Sequence, residues 1–465
     1  MNKISAAKRI IGSVVFSLAI IVHANGQLPN TLSSEDKVFG LSKFWQEVNY
    51  NFVYLDKVDR MMWDNAYRSL ITKVQATPND YEYYRELQKF CALLKDGHTN
   101  VFLPNVKVME QMTTMFGDYR LFVENIDGKA IIVRTNLSKK NEIPIGSEIV
   151  EVNDLATDKY IAQYVAPYIS SSTDYVLKDW SISRVLQGLD GDKYKVKLKS
   201  PTGKVVTLNL THAVTTEDAV FPEMEQRKLV DFRWLDGKIA YVALNSFENI
   251  ETYNQFRTFL PELYKAKGLV IDLRKNGGGN TDIGAGILQY LVKDNELYGS
   301  RSSSRFHVPT FKAWGKFTNP SDTVKNEWAK KVVLSYQDKY FYQFEYKPEK
   351  IELEEQRIVV PTALLFGHNT ASAAEDFLIY ADKQSHMIRI GENTFGSTGQ
   401  PYLFDLPGGG SARICTKKDT YPDGREFVGY GIKPDIEVKR TLSDYLKNKD
   451  SVLDRSIAYL KTKIN

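Results

Sequence analysis

The sequence predicts a layered α/β domain, preceded by a helical segment and a β-rich module, and three observations predict it. Apolar runs at Gly268–Leu273 and Pro361–Phe366 break off at glycine-bearing turns and lead into helical spacing, as buried strands feeding helices do. Residues 30–100 carry apolar side chains at helical intervals. Residues 119–212 switch to short apolar runs separated by turn residues. A chain of 465 residues has room for two or three such units.

The first residues read as an export signal over 1–26. Lys3, Lys8 and Arg9 precede an apolar stretch from Ile10 to Val22, too short for a comfortable membrane span, and small residues follow. The expected mature chain starts near Gln27, is exported to the periplasm or beyond the cell, and keeps no integral membrane span. Its composition is that of a globular protein, 43% hydrophobic and 25% charged. The formal charge of +4 falls to about +1 without the signal, so overall charge points neither to nucleic acid nor to an anionic membrane surface. Cys91 and Cys415 are the two cysteines; export permits a disulfide, and two buried thiols fit equally well. No metal-spaced Cys/His cluster occurs.

Within the helical region, 27–110, one apolar face runs through Phe39, Leu41, Phe44, Trp45 and Val48, and another through Trp63, Tyr67, Leu70 and Val74. A third helix over 80–94 ends at Lys95-Asp96-Gly97-His98-Thr99. His98 stands at that break, and a histidine suits a general base because its ordinary pKa lies near neutrality. His368 is its main competitor; His212, His307 and His386 are the others expected in the mature chain. The β-rich module, 115–215, opens with strands around Ile126-Asp127-Gly128-Lys129, and residues 168–188 read as an insertion in it. The α/β domain spans 220–440, and a C-terminal helix lies within 441–465.

Two stretches of the α/β domain carry chemistry. Arg274-Lys275-Asn276-Gly277-Gly278-Gly279 ends a buried strand and suits amides that point at an anion. It lacks the pattern of a nucleotide-phosphate loop. In Thr370-Ala371-Ser372-Ala373-Ala374-Glu375, a serine sits where a strand turns into a helix. Free N–H groups at a helix start can hold an oxyanion beside a nucleophile, although a serine there also caps helices.

In order, LLKDGHT (93–99), VIDLRKNGGG (270–279), TASAAEDF (370–377), and GENTFGSTGQ (391–400) followed by GYGIKPDI resemble the tail-specific (C-terminal processing) and tricorn-type serine peptidases. That resemblance implies a crotonase-like α/β catalytic domain, with IPIGSEIVEVND (143–154) in a PDZ-like module. It implies Ser372 as nucleophile, with the amides of Gly278 and Ala373 as oxyanion donors. One branch uses a lysine in FGKG, where this chain has Ser397; the tricorn-like branch uses a histidine that maps to His98. The branch's glutamate falls on Val428, so Glu426, two residues earlier, is the expected acid, with Asp423 its rival. The implied function is an exported serine endopeptidase with no cofactor or metal, acting on extended or C-terminal segments of peptides or unfolded proteins. The alternatives are a non-catalytic binding protein on the same fold and an esterase using the same site.

Overall fold

The computed structural model describes residues 31–104 and 114–464, so the expected export segment lies outside the described residues. The organising element is a six-stranded sheet. Ile239–Leu244, Gly268–Asp272, Thr362–Phe366, Met387–Gly391 and the edge strand Ile436–Glu437 run parallel, with Val230–Leu235 antiparallel at the opposite edge. Successive side chains on a strand face opposite ways, and here both faces are apolar. Val242, Leu244, Ile271, Leu364 and Phe366 enter the main core with the elbow helix Ala373–Tyr380. Tyr241, Ala243, Val270, Ala363 and Leu365 enter a second core, closed by Val452, Leu453 and Leu460 of the C-terminal helix Ser451–Lys461. Two short helices, Glu251–Thr258 and Leu260–Leu263, follow the strand Ile239–Leu244, with Pro261 in the second.

The N-terminal helices are Ser34–Asn51, Arg60–Gln75 and Asp80–Ala92, capped by Ser33, Asp59 and Asn79. Trp63 stacks on Phe90 at 3.9 Å between centroids. Phe39, expected on the apolar face, is 61% exposed. These helices share one core with the α/β domain. The strand Asn100–Phe102 pairs with Ser411–Cys415, which in turn pairs with Pro401–Asp405. A residue just before position 100 is thereby fixed against the end of the α/β domain.

The β-rich segment forms its own sheet and core, with strands Tyr119–Ile126, Lys129–Asn136, Glu148–Val152, Lys193–Lys199 and Val205–Thr211. Residues 168–188, read from sequence as an insertion, contain a helix, Asp174–Ser183, that belongs to the packing of this segment. Ile182, Val185 and Leu186 enter the module's core, while Val176 packs on Ala371 and Phe395 of the α/β domain. A hairpin of two helices, Pro309–Gly315 and Glu327–Tyr336, rises between the glycine run and the strand Thr362–Phe366 in chain order. Among the described residues, no helix is long and apolar enough to cross a membrane.

Candidate active site

Ser372 stands at the junction of the buried strand Thr362–Phe366 and the elbow helix, with φ +55° and ψ −122°. A non-glycine residue at positive φ costs of order 1–3 kcal/mol, so the surroundings must impose it. Thr370 Oγ1 donates to the Leu273 carbonyl at 2.9 Å and accepts from the Gly367 amide at 3.1 Å. The Ala371 amide donates to the Asn276 carbonyl at 3.1 Å. The turn is thus tied to the glycine run, and Ser372 is left half-buried. The Ala373 N–H, first in the helix, has no hydrogen-bond partner among the described residues and stands at the positive end of the helix.

Gly278 has φ +97°, and a Cβ there would lie 2.7 Å from the Ala371 carbonyl and 2.8 Å from Ser372 Cβ. No side chain fits between this backbone and the nucleophile candidate. Its amide, however, donates to Asn276 Oδ1 at 2.9 Å, while Asn276 Nδ2 donates to the Leu244 carbonyl at 3.0 Å. Asn276 is fully buried, so its carboxamide must find internal partners, and Gly278 N–H is one of them. In this state Gly278 lies against Ser372 without a free donor.

Glu375, in the first turn of the elbow helix, is fully buried. Its Oε2 accepts from the amides of Ser372 (3.1 Å) and Ser397 (3.3 Å). Its Oε1 accepts from the Gly396 amide (2.8 Å) and Thr394 Oγ1 (2.5 Å). Burial raises its pKa to about 8 against the lowering effect of those donors. One carboxyl therefore ties the elbow to the loop 394–397.

That loop holds the histidine. His98 Nδ1 lies 2.7 Å from Ser397 Oγ, which lies 3.5 Å from Asp96 Oδ1. Asp96 is buried and also accepts from Thr99 Oγ1 at 2.6 Å and Ser172 Oγ at 3.3 Å; burial pushes its carboxyl up. His98 is 9% exposed, and burial, with Arg413 and Lys417 nearby, lowers its pKa to about 4. The imidazole is neutral at pH 7, as a base must be. Its Nε2 has no hydrogen-bond partner among the described residues, and Ser372 Oγ makes no hydrogen bond to it.

The other histidines are engaged elsewhere. His212 bonds the Met115 and Leu186 carbonyls, His386 bonds the Leu291 carbonyl, and His307 packs edge-on to Tyr50. His368 pairs with Asp179 at 2.6 Å and stacks on Tyr175, both on the helix Asp174–Ser183.

The structure does not bring Glu426 to His98. Glu426 pairs with Lys418 and, at 3.6 Å, with Lys57, and these partners lower its pKa. Its expected placement assumed an extended segment. Instead the Tyr430 and Gly431 amides bond the Phe427 carbonyl, so the chain turns from Phe427 onward and 426–428 is not a strand. Asp423 is bound to Arg425. Ser397 and Asp96, which do meet His98, were not singled out as partners. The available signal was a small hydroxyl residue at the position where one branch of the resembling family has its lysine. Cys91 and Cys415 are free and buried, and burial pushes the Cys91 thiol up to about 12.

A serine at positive φ between a buried strand and a helix, next to an unpaired amide, is an arrangement that can carry nucleophilic chemistry. Residues 238–438 match the model of Peptidase family S41. The chain is similar to the carboxy-terminal processing protease CtpA of Bacillus subtilis (strain 168), 24% identical over 57% of this chain and 46% of that protein. It is also similar to the carboxyl-terminal-processing protease of Picosynechococcus sp. (strain ATCC 27264 / PCC 7002 / PR-6), 20% identical over 92% of this chain and 89% of that protein. The carboxy-terminal-processing protease of Bartonella bacilliformis (strain ATCC 35685 / KC583 / Herrer 020/F12,63) is 23% identical, with 53% of its length covered, so the chain spans about half of two of these relatives. Among solved structures, mature CPAF superposes with a TM-score of 0.66 at 12% identity, over 92% of this chain and 96% of that one. Mature CPAF complexed with lactacystin gives 0.63 at 12% identity, over 93% of this chain and 98% of that one. The likeness to these two structures is one of fold.

Proposed function

We propose that this chain is an exported serine endopeptidase that hydrolyses peptide bonds through an acyl-enzyme on Ser372. The observation that carries the reading is the strained elbow: Ser372 at φ +55°, joined through the buried Glu375 to the loop that holds His98. His98 Nε2 takes the hydroxyl proton as Ser372 Oγ attacks the carbonyl carbon. The Ala373 amide holds the oxyanion, and His98 returns the proton to the leaving amine. Water then attacks the acyl-enzyme by the same route. Gly278 becomes the second donor when substrate draws its amide from Asn276.

Ser397 and Asp96 take the part that Glu426 was expected to play. With Nδ1–H donating to Ser397 Oγ, and Ser397 donating to Asp96, the free Nε2 is the basic nitrogen. The relay orients the ring and spreads the charge that forms on it. The α/β domain is crotonase-like in this reading, and residues 115–215 are a PDZ-like module presenting extended or C-terminal segments of peptides and unfolded proteins. No cofactor, nucleic acid or integral membrane span is called for.

One observation favours a second reading, a binding protein on the same fold: the Gly278 amide is already occupied. Incubating the protein and its Ser372→Ala variant with a mixed peptide library, and reading products by mass spectrometry, separates the two. Cleavage by the first alone supports the peptidase. No cleavage by either folded protein refutes it in favour of binding, and turnover of esters alone identifies an esterase.

A further inference from the structure

The helical hairpin at Pro309–Tyr336 inverts the usual division of side chains between core and solvent. Trp314 lies at the end of its first helix and Trp328 at the start of its second, with ring centroids 5.7 Å apart and nearly half of each exposed. The connection between them carries Phe317, 85% exposed, and Val324, 84% exposed. All four therefore gather at one end of the hairpin. Its two helices pack against each other and against the short turn Pro320–Val324 much more than against any other element. The tip projects, and no part of the strained site uses it.

Charge accompanies the apolar tip. Lys316 and Lys325 each adjoin one of its exposed apolar residues, while Lys331, a turn further on, lies over the Phe311 and Tyr340 rings. None of the three forms an ion pair among the described residues, whereas Lys312 is held by Asp338 at 3.0 Å. Asp322 and Glu327 also lie on the hairpin, Glu327 3.9 Å from Lys330, and over residues 309–336 five lysines outnumber these two carboxylates. Projecting Trp and Phe with unpaired lysines match the boundary of an anionic bilayer, where rings enter the headgroup layer and ammonium groups meet phosphates. A peptide partner would call for a groove or an open strand edge, and this tip is a projection.

We propose that the tip of this hairpin is a peripheral docking surface for an anionic membrane, an inference that rests on the proposed export of the protein. The inference is independent of the catalytic reading. The test is co-sedimentation of the exported protein with vesicles of phosphatidylglycerol and phosphatidylcholine, against vesicles of phosphatidylcholine alone. Binding to the anionic vesicles is expected to be at least about tenfold tighter and to weaken with salt. Lys316→Glu/Lys325→Glu and Phe317→Ser/Val324→Ser, each checked for unchanged thermal unfolding, are expected each to lose about tenfold or more. Any leader left on the chain is common to all variants and cancels. Equal binding to both vesicle types, or binding untouched by both variants, overturns the proposal. So does a wild type that ignores vesicles while the variants alter peptide turnover or self-association, because the surface then serves a polypeptide.

Discussion

The elbow and the helical hairpin depart from the ordinary distribution of side chains in opposite directions. At the elbow, Glu375, Asp96 and His98 are withdrawn from water and almost every polar atom is committed. At the hairpin tip, Phe317 and Val324 stand in water without a covering partner among the described residues. Folding alone rewards neither arrangement, since buried ionisable groups and exposed large apolar ones both cost free energy. In the readings proposed above, the elbow serves chemistry at a fixed point and the hairpin serves contact with something outside the chain.

The largest effect expected is at Glu375. Glu375→Ala leaves the Ser372, Gly396 and Ser397 amides without their acceptor, and each stranded buried donor costs about 1–3 kcal/mol. A loss of at least ~3 kcal/mol should appear as a lower denaturant midpoint. A loss below ~1 kcal/mol would mean that water satisfies the loop and that the elbow is less tightly built than described. Gly278→Ala comes next, because its Cβ would meet the Ala371 carbonyl at 2.7 Å from a backbone at φ +97°. A destabilisation of about 1–3 kcal/mol is expected, with activity falling further than stability accounts for.

Ser397→Ala should lower kcat about tenfold, the worth of one hydrogen bond to a group that becomes charged, and leave KM nearly unchanged. Glu426→Ala should leave kcat within about twofold, because its partners are lysines. A reversed ranking would restore Glu426 as the acid. The acid limb of the activity profile is expected near pH 4, because His98 is held to about 4 in place of its ordinary 6.5. For a histidine with a lowered pKa, stability is complete above the ordinary value and is lost as pH falls toward the lowered one. The stability contribution should therefore start to fall below about pH 6.5, ahead of activity, which declines only near pH 4. A limb near 6.5 would show that the ring is solvated in the working enzyme. The smallest effect belongs to the other region: Phe317→Ser should change stability by less than about 0.5 kcal/mol, since that side chain packs on little.

Much of the α/β domain was legible because its strands are apolar on both faces, a pattern that few other arrangements tolerate. The elbow was legible for a related reason, since Gly367-His368-Asn369-Thr370 must break a buried strand and Ser372 opens the next helix. The partners of His98 were not. Asp96 is two residues from it and Ser397 about three hundred, and only the pairing of Asn100–Phe102 with Ser411–Cys415 makes them neighbours of one loop. Glu426 was misplaced because the two-residue alternation of a strand was applied to a turn. Glu375 stands in the first turn of its helix, but its bonds to Gly396 and Ser397 depend on a loop about twenty residues away folding back over it, which no local pattern announces. The helix Asp174–Ser183 looked foreign to its module because one face serves the module and the other serves the elbow, so neither periodicity stands out.

Reaction of Ser372 with a fluorophosphonate, followed by intact mass and peptide mapping, tests the central claim most directly. One adduct per chain on Ser372 is expected, absent from Ser372→Ala and slowed on the order of 10³-fold or more in His98→Ala. No adduct on the folded wild type, or an adduct that survives Ser372→Ala, would contradict the assignment of Ser372 as nucleophile.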